Sequence, residues 1–207
     1  MNISITLIII IVTVAASFYA WQNPTVYNQW MMNPVAINRK NEFWRFISSG
    51  LIHADGMHLF FNMFALYSFG EYLEFYFFKD MFGQQTGGLY YVLLYFGGII
   101  LSDVPSFFKN KNNSGYNSLG ASGGVSSVIF AAILLNPMQK ILFYFIPLPG
   151  IIFAFLYVLY SVQMSKRGYD NVNHSAHLYG ALFGVVFIIL VFPQAVVNFS
   201  QQLLSFF

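Results

Sequence analysis

Apolar stretches almost free of charge recur from one end of this chain to the other. The first, ISITLIIIIVTVAASFYAW at 3–21, contains no charged residue. A hydrocarbon core about 30 Å thick takes roughly 20 such residues to cross as a helix. No water is present there to satisfy backbone amides, so each stretch must close its hydrogen bonds internally. Only 8% of the 207 residues are charged and mean hydropathy is +0.62, against about 25% charged in a soluble domain. The sequence is that of an integral membrane protein. Its net charge of +2, with no Lys/Arg block, argues against a nucleic-acid partner. The lack of cysteine excludes disulfides, thiol catalysis and Cys-ligated metals.

Six transmembrane helices are expected, near 3–21, 57–78, 88–103, 122–136, 140–163 and 174–192, in an all-α membrane bundle forming one domain over 1–207. The first lacks a basic leading region, which favours a retained helix over a cleaved signal. Pro147 and Pro149 are expected to kink the fifth. The tail after Pro193 either prolongs the sixth or lies in the interface. Residues 22–56 read as a partly interfacial loop, with Trp21, Trp30, Phe43 and Trp44 suited to the headgroup level. Residues 104–119 read as a Ser/Asn/Lys-rich loop.

The fourth segment raises a chemical question. It opens on GASGG at 120–124, so a serine flanked by glycines begins an apolar helix. From Ser122 to Asn136 that helix rises only about 22 Å, short of the full hydrocarbon thickness. Ser122 therefore starts below one membrane surface, where non-helical backbone is tolerated only inside protein or beside a wet cavity. Free N–H groups and the positive dipole end gather there and suit an oxyanion. The plainer alternative is an N-cap serine on a small-residue packing face. The stretch also fits G-x-S-x-G, but that motif needs a preceding strand, and a polar loop precedes it here.

A nucleophilic serine needs a base. AHLYGALFG at 176–184 places His177, Gly180 and Gly184 on one helical face. Packing the glycine face against the fourth helix would bring His177 to Ser122. His174, one turn earlier, is a rival base without the following glycine spacing. No acid in either helix is placed to orient the imidazole, which implies a dyad. HLFFN supplies His58 and Asn62 at i and i+4, two donors that with the Ser122 backbone N–H can form an oxyanion hole. His53 is open between a site role and an interfacial one. A metal site of His58, His174 and His177 with Asp170 lacks the H-E-x-x-H pattern, and the expectation is no metal.

Taken together these motifs resemble the rhomboid intramembrane serine proteases. The resemblance rests on Trp44-Arg45, on HxxxxHxxxN at His53, His58 and Asn62, on GxxxE at Gly70 and Glu74, on GASG at 120–123, and on AHxxGxxxG at 176–184. It implies a rhomboid-like six-helix bundle of the minimal bacterial form, with Ser122 as nucleophile and His177 as general base. His58, Asn62 and the Ser122 N–H would form the oxyanion hole. Gly120, Gly123, Gly180, Gly184, His53, Trp44, Arg45, Glu74 and Ser126 would support the site. The implied substrates are single-pass membrane proteins cut in or near their transmembrane segments, with a small residue before the scissile bond. No cofactor is implied. The implied location is the bacterial inner membrane, with the active site opening to the non-cytoplasmic side.

Two features depart from that pattern. Many family members carry an aromatic four residues after the serine, stacked on the catalytic histidine; here that position is Ser126. Ser126 is expected to hold the imidazole through a hydrogen bond. Second, the loops at 22–56, 104–119 and 164–173 share one side and carry Arg39, Lys40, Arg45, Lys109, Lys111, Lys166 and Arg167, against Lys79 and Lys140 opposite. The positive-inside rule would turn those loops to the cytoplasm. The rival readings are an inactive relative that binds membrane clients, and a small transporter. A transporter would carry ionisable residues along a path through the bilayer, whereas the polar residues here gather toward one side.

Overall fold

The structure, a computed structural model, describes residues 4–143, 146–167 and 173–205. It is mostly helical. Helix α1 (Ile5–Gln22) is capped by Ser4, whose hydroxyl accepts from the Leu7 N–H. Residues 22–56 are not simply a loop. They fold into α2 (Pro24–Trp30), α3 (Pro34–Lys40), α4 (Arg45–Ser48) and a 3-10 turn (Ser49–Leu51). Pro24 and Pro34 stand at helix starts, where a missing N–H costs nothing.

Helix α5 (Gly56–Glu71) is capped by Asp55 and continues as a π-helical segment (Tyr72–Lys79) into the short α6 (Asp80–Phe82). Helix α7 (Gln84–Asn110) runs well beyond 88–103 at both ends and contains Pro105. Helix α8 (Ser122–Leu135) follows, about 21 Å long. The fifth expected span needs correction. Residues 140–143 and 146–149 form an antiparallel pair, β1 (Lys140–Phe143) and β2 (Ile146–Pro149), and helix α9 begins only at Gly150 and ends at Arg167. Pro147 and Pro149 cannot donate to a helical ladder, so they exclude the helix instead of bending it. The Gly150 and Ile151 N–H groups, open at the helix start, bond to the Gln139 and Pro137 carbonyls. Asn173 caps α10 (His174–Val191), its side chain accepting from the Ala176 N–H. After Pro193 the chain forms a separate helix, α11 (Gln194–Leu204).

Helix α8 is the core of the molecule. Every residue from Gly123 to Leu134 is buried, between α7, α10, α5, α9 and α11. By length and composition α1, α7 and α10 can each cross a membrane, and α8 and α9 are shorter apolar helices.

The far end of α5 is tied to α1. Gly70 lets Thr6 and Tyr91 close in, since a Cβ there would meet the Tyr91 hydroxyl at 2.3 Å. Glu74, fully buried, accepts from the Ile5 and Thr6 N–H groups and the Thr6 hydroxyl, each at 2.8 Å, and pairs with Lys79. A carboxylate thus fills the open N-terminus of α1, where free N–H groups and the helix dipole favour negative charge. The GxxxE motif is a helix-to-helix tie remote from Ser122.

Candidate active site

The two helices that carry Ser122 and His177 are locked in register by glycine. A Cβ on Gly180 would lie 2.2 Å from the Gly123 carbonyl oxygen, and one on Gly184 would lie 2.2 Å from that of Ser127. Four residues along α10 thus match four along α8, so the helices run parallel and in backbone contact. Ser122, at the first position of α8, and His177, one turn before Gly180, are thereby set at the same end of the pair. On its other side α8 meets α7 as closely: a Cβ on Gly123 would strike the Ser102 hydroxyl.

The backbone before Ser122 is held by several partners. Gly120 adopts φ 119°, a conformation that favours glycine. Its N–H donates to the Ser49 carbonyl at 2.9 Å. The imidazole of His58 lies against it, 2.9 Å (Nε2) from where a Cβ would stand. The Ala121 N–H donates to His53 Nε2 at 3.3 Å. Upstream, Met32 and Ser118 exchange backbone hydrogen bonds of 2.9 and 3.1 Å. The segment 22–56 is therefore the frame that holds the serine loop.

His53 is fully buried, and its geometry gives it a positioning role. Because Nε2 accepts from Ala121, the ring proton sits on Nδ1, 3.1 Å from the Ser17 hydroxyl, which reaches the Leu51 carbonyl. The indole of Trp21 bonds the His53 carbonyl at 2.8 Å. Burial, and secondarily the neighbouring His58, pushes the His53 imidazole down to about 3, so it stays neutral and able to accept. The rings of His53 and His58 meet edge to face at 4.9 Å. The Asn62 amide donates to the His58 carbonyl within α5. His58 therefore borders the serine loop directly, and Asn62 lies one turn deeper.

Ser126 is buried, and its hydroxyl bonds the Tyr157 hydroxyl on α9 at 2.7 Å, not His177. Tyr157 lies nearly parallel to the His177 ring, 26° between planes and 6.0 Å between centroids. An aromatic does face the histidine, but it comes from α9 and not from the turn after the serine. Tyr157 went unnoticed in the sequence because it is one of 14 tyrosines and sits in an apolar stretch with no motif. His174 lies edge-on to His177 at 5.5 Å and meets Tyr160, one turn beyond Tyr157. Asp170 lies outside the described residues, and among the described ones no group of three His, Asp or Glu side chains is placed to hold a metal.

Arg45 is buried, bonding Glu42 at 2.6 Å and the Asn28 and Met31 carbonyls. It braces the end of α2, while Trp44 beside it is exposed.

A family model described as "Rhomboid domain" matches residues 40–194. The chain belongs to the rhomboid family. It is 26% identical over 191 residues to "RHOMBOID-like protein 12, mitochondrial" of Arabidopsis thaliana, covering 86% of this chain and 55% of that protein. It is 30% identical over 148 residues to "Rhomboid protein 1, mitochondrial" of Saccharomyces cerevisiae, covering 68% and 40%. It is 25% identical over 162 residues to "Rhomboid protease GlpG" of Haemophilus influenzae, covering 75% and 73%. The chain spans about half the length of the first two relatives. Family and composition make it an integral membrane protein. The named relatives are mitochondrial in two cases out of these three, so kinship does not support the bacterial inner membrane expected from the resemblance.

Proposed function

We propose that this chain is an intramembrane serine endopeptidase that cleaves single-pass transmembrane proteins in or near the membrane. The observation that carries the reading is the glycine-locked register of α8 and α10, which sets Ser122 and His177 at one end of a closely packed helix pair. In this reading α1, α5, α7, α8, α9 and α10 are the six spans, and the site opens on the side of the 22–56 segment. A substrate helix unwinds into the site. Ser122 attacks the scissile carbonyl while His177 takes its proton. The Ser122 N–H, His58 and Asn62 stabilise the tetrahedral oxyanion. His177 then protonates the leaving amine, and water, deprotonated by the same imidazole, releases the acyl group. The base must be neutral, so cleavage falls off at acid pH.

The test is proteolysis of a generic transmembrane substrate in liposomes by wild type, Ser122→Ala and His177→Ala. Cleavage by wild type alone is expected. Equal cleavage by Ser122→Ala would remove Ser122 from the chemistry. No cleavage by wild type, with no labelling of Ser122 by a serine-reactive probe, would favour a client-binding protein.

A further inference from the structure

The helix after Pro193 has no part in the chemistry above. Helix α11 packs against α8 and α10, at the end of α8 remote from Ser122. Ala195 is buried there, Phe199 packs on the core, and the Gln202 amide donates to the Leu135 carbonyl at 3.0 Å. That carbonyl is among the four that a helix end leaves open. The outward side of α11 is divided lengthwise. Val196, Val197, Ser200 and Leu204 share one flank, with the three apolar side chains 45%, 46% and 76% exposed. The Ser200 hydroxyl donates back to the Val196 carbonyl at 3.0 Å, so this flank keeps its hydrogen bond inside the helix. Gln194, Asn198 and Gln201 form the other flank. No residue of α11 is charged.

An apolar flank beside a polar one, on a helix whose third side is held by protein, fits the boundary between acyl chains and water. Two neighbours put that boundary at this level. Helix α10, long and apolar enough to cross a membrane, ends at Val191, and the chain turns at once into α11, the Ala195 N–H donating to the Phe192 carbonyl at 3.0 Å. Beyond α8 the chain becomes polar: the Asn136 amide donates to Gln139, and Gln139 and Lys140 are exposed. A free lysine belongs at the interface and not in hydrocarbon. We propose that α11 lies in the membrane plane, at the headgroup boundary on the face opposite Ser122, with Val196, Val197 and Leu204 in the acyl chains. Gln202 then holds the end of α8 at that level. The 14 residues of α8 rise about 21 Å in a core about 30 Å thick, so Ser122 stops roughly 9 Å or more short of the other boundary. The lipid is bound through apolar area alone, since α11 has no cation for an anionic headgroup. The inference holds whether or not Ser122 is a nucleophile.

The chain has no cysteine, so single cysteines can carry nitroxide labels without background. Val196→Cys, Leu204→Cys and Gln194→Cys are labelled and reconstituted separately in phosphatidylcholine vesicles. Power saturation by oxygen, which concentrates in acyl chains, is compared with saturation by a water-soluble nickel chelate. The oxygen-to-nickel ratio should be severalfold higher at 196 and 204 than at 194, and should place the first two about 5–10 Å below the phosphates. Adding anionic phosphatidylglycerol or raising salt should leave the ratios unchanged. Equal ratios at all three positions put α11 in water and overturn the proposal. Spin–spin broadening at 196 or 204 that disappears on dilution with unlabelled protein also overturns it, because a second copy would then cover the flank. So does low access to both oxygen and nickel at 196 and 204 after dilution, which would bury the flank in protein. A ratio at 196 and 204 that rises only with anionic lipid overturns binding by apolar area alone.

Discussion

At the scale of single residues, the protease reading gives a supporting role to groups beside Ser122 and His177. Tyr157 is stacked on His177 and held by Ser126, so the ring fixes the imidazole's orientation and the hydroxyl pair fixes the ring. Tyr157→Ala should lower kcat by on the order of 10- to 100-fold, since misplacing a catalytic group costs that much, and Tyr157→Phe should recover most of it. Ser126→Ala should lower kcat more than Ser127→Ala, whose hydroxyl bonds only the Leu94 and Gly124 carbonyls. Cleavage assays on purified protein decide both, and equal effects at 126 and 127 would refute the holding role. His53 makes a second prediction. Folded, it takes a proton only near pH 3; unfolded, near 6.5. Its contribution to stability is full above pH 6.5 and falls by about 1.4 kcal/mol for each unit below it. Thermal unfolding in detergent from pH 7 to 5 should show the loss, and His53→Gln should flatten it.

At the scale of elements, the fold is a set of close helix approaches. Gly184→Val would drive a branched side chain into the Ser127 carbonyl and force α10 from α8. Overpacking of this kind costs about 1–3 kcal/mol, and because the same contact sets the register of Ser122 and His177, activity should fall further than stability alone predicts. Glu74→Ala separates the two effects at the other end of α5. It strands the buried Lys79 and the amides of Ile5 and Thr6, and breaking a buried pair costs about 3–5 kcal/mol. Melting should drop sharply, while kcat per folded molecule stays near wild type because Glu74 is remote from the site.

At the scale of the whole molecule, orientation is the open physical contest. The basic residues of the 22–56 side favour the cytoplasm, and pairing does not remove the bias, since Arg45 is paired with Glu42 on that side and Lys79 with Glu74 on the other. On the six-span reading both termini lie on the face opposite the 22–56 segment, and tags at the termini and within that segment check it; labelling of all three from one side would refute it. Much at this scale was legible in the sequence. Apolar runs and low charge dictate a membrane bundle because lipid cannot hydrogen-bond a backbone. The spacing of His177, Gly180 and Gly184 dictates one face because helical periodicity is local. What local pattern could not carry was partner choice. The prolines at 147 and 149 signal a break, but only the pairing of 140–143 with 146–149 makes it a strand pair. Whether His53 serves the chemistry or the scaffold depended on an amide 68 residues away, and the aromatic on His177 came from α9, 31 residues beyond Ser126. Those contacts are decided by how helices pack, since a side chain's neighbours across an interface leave no period in its own sequence.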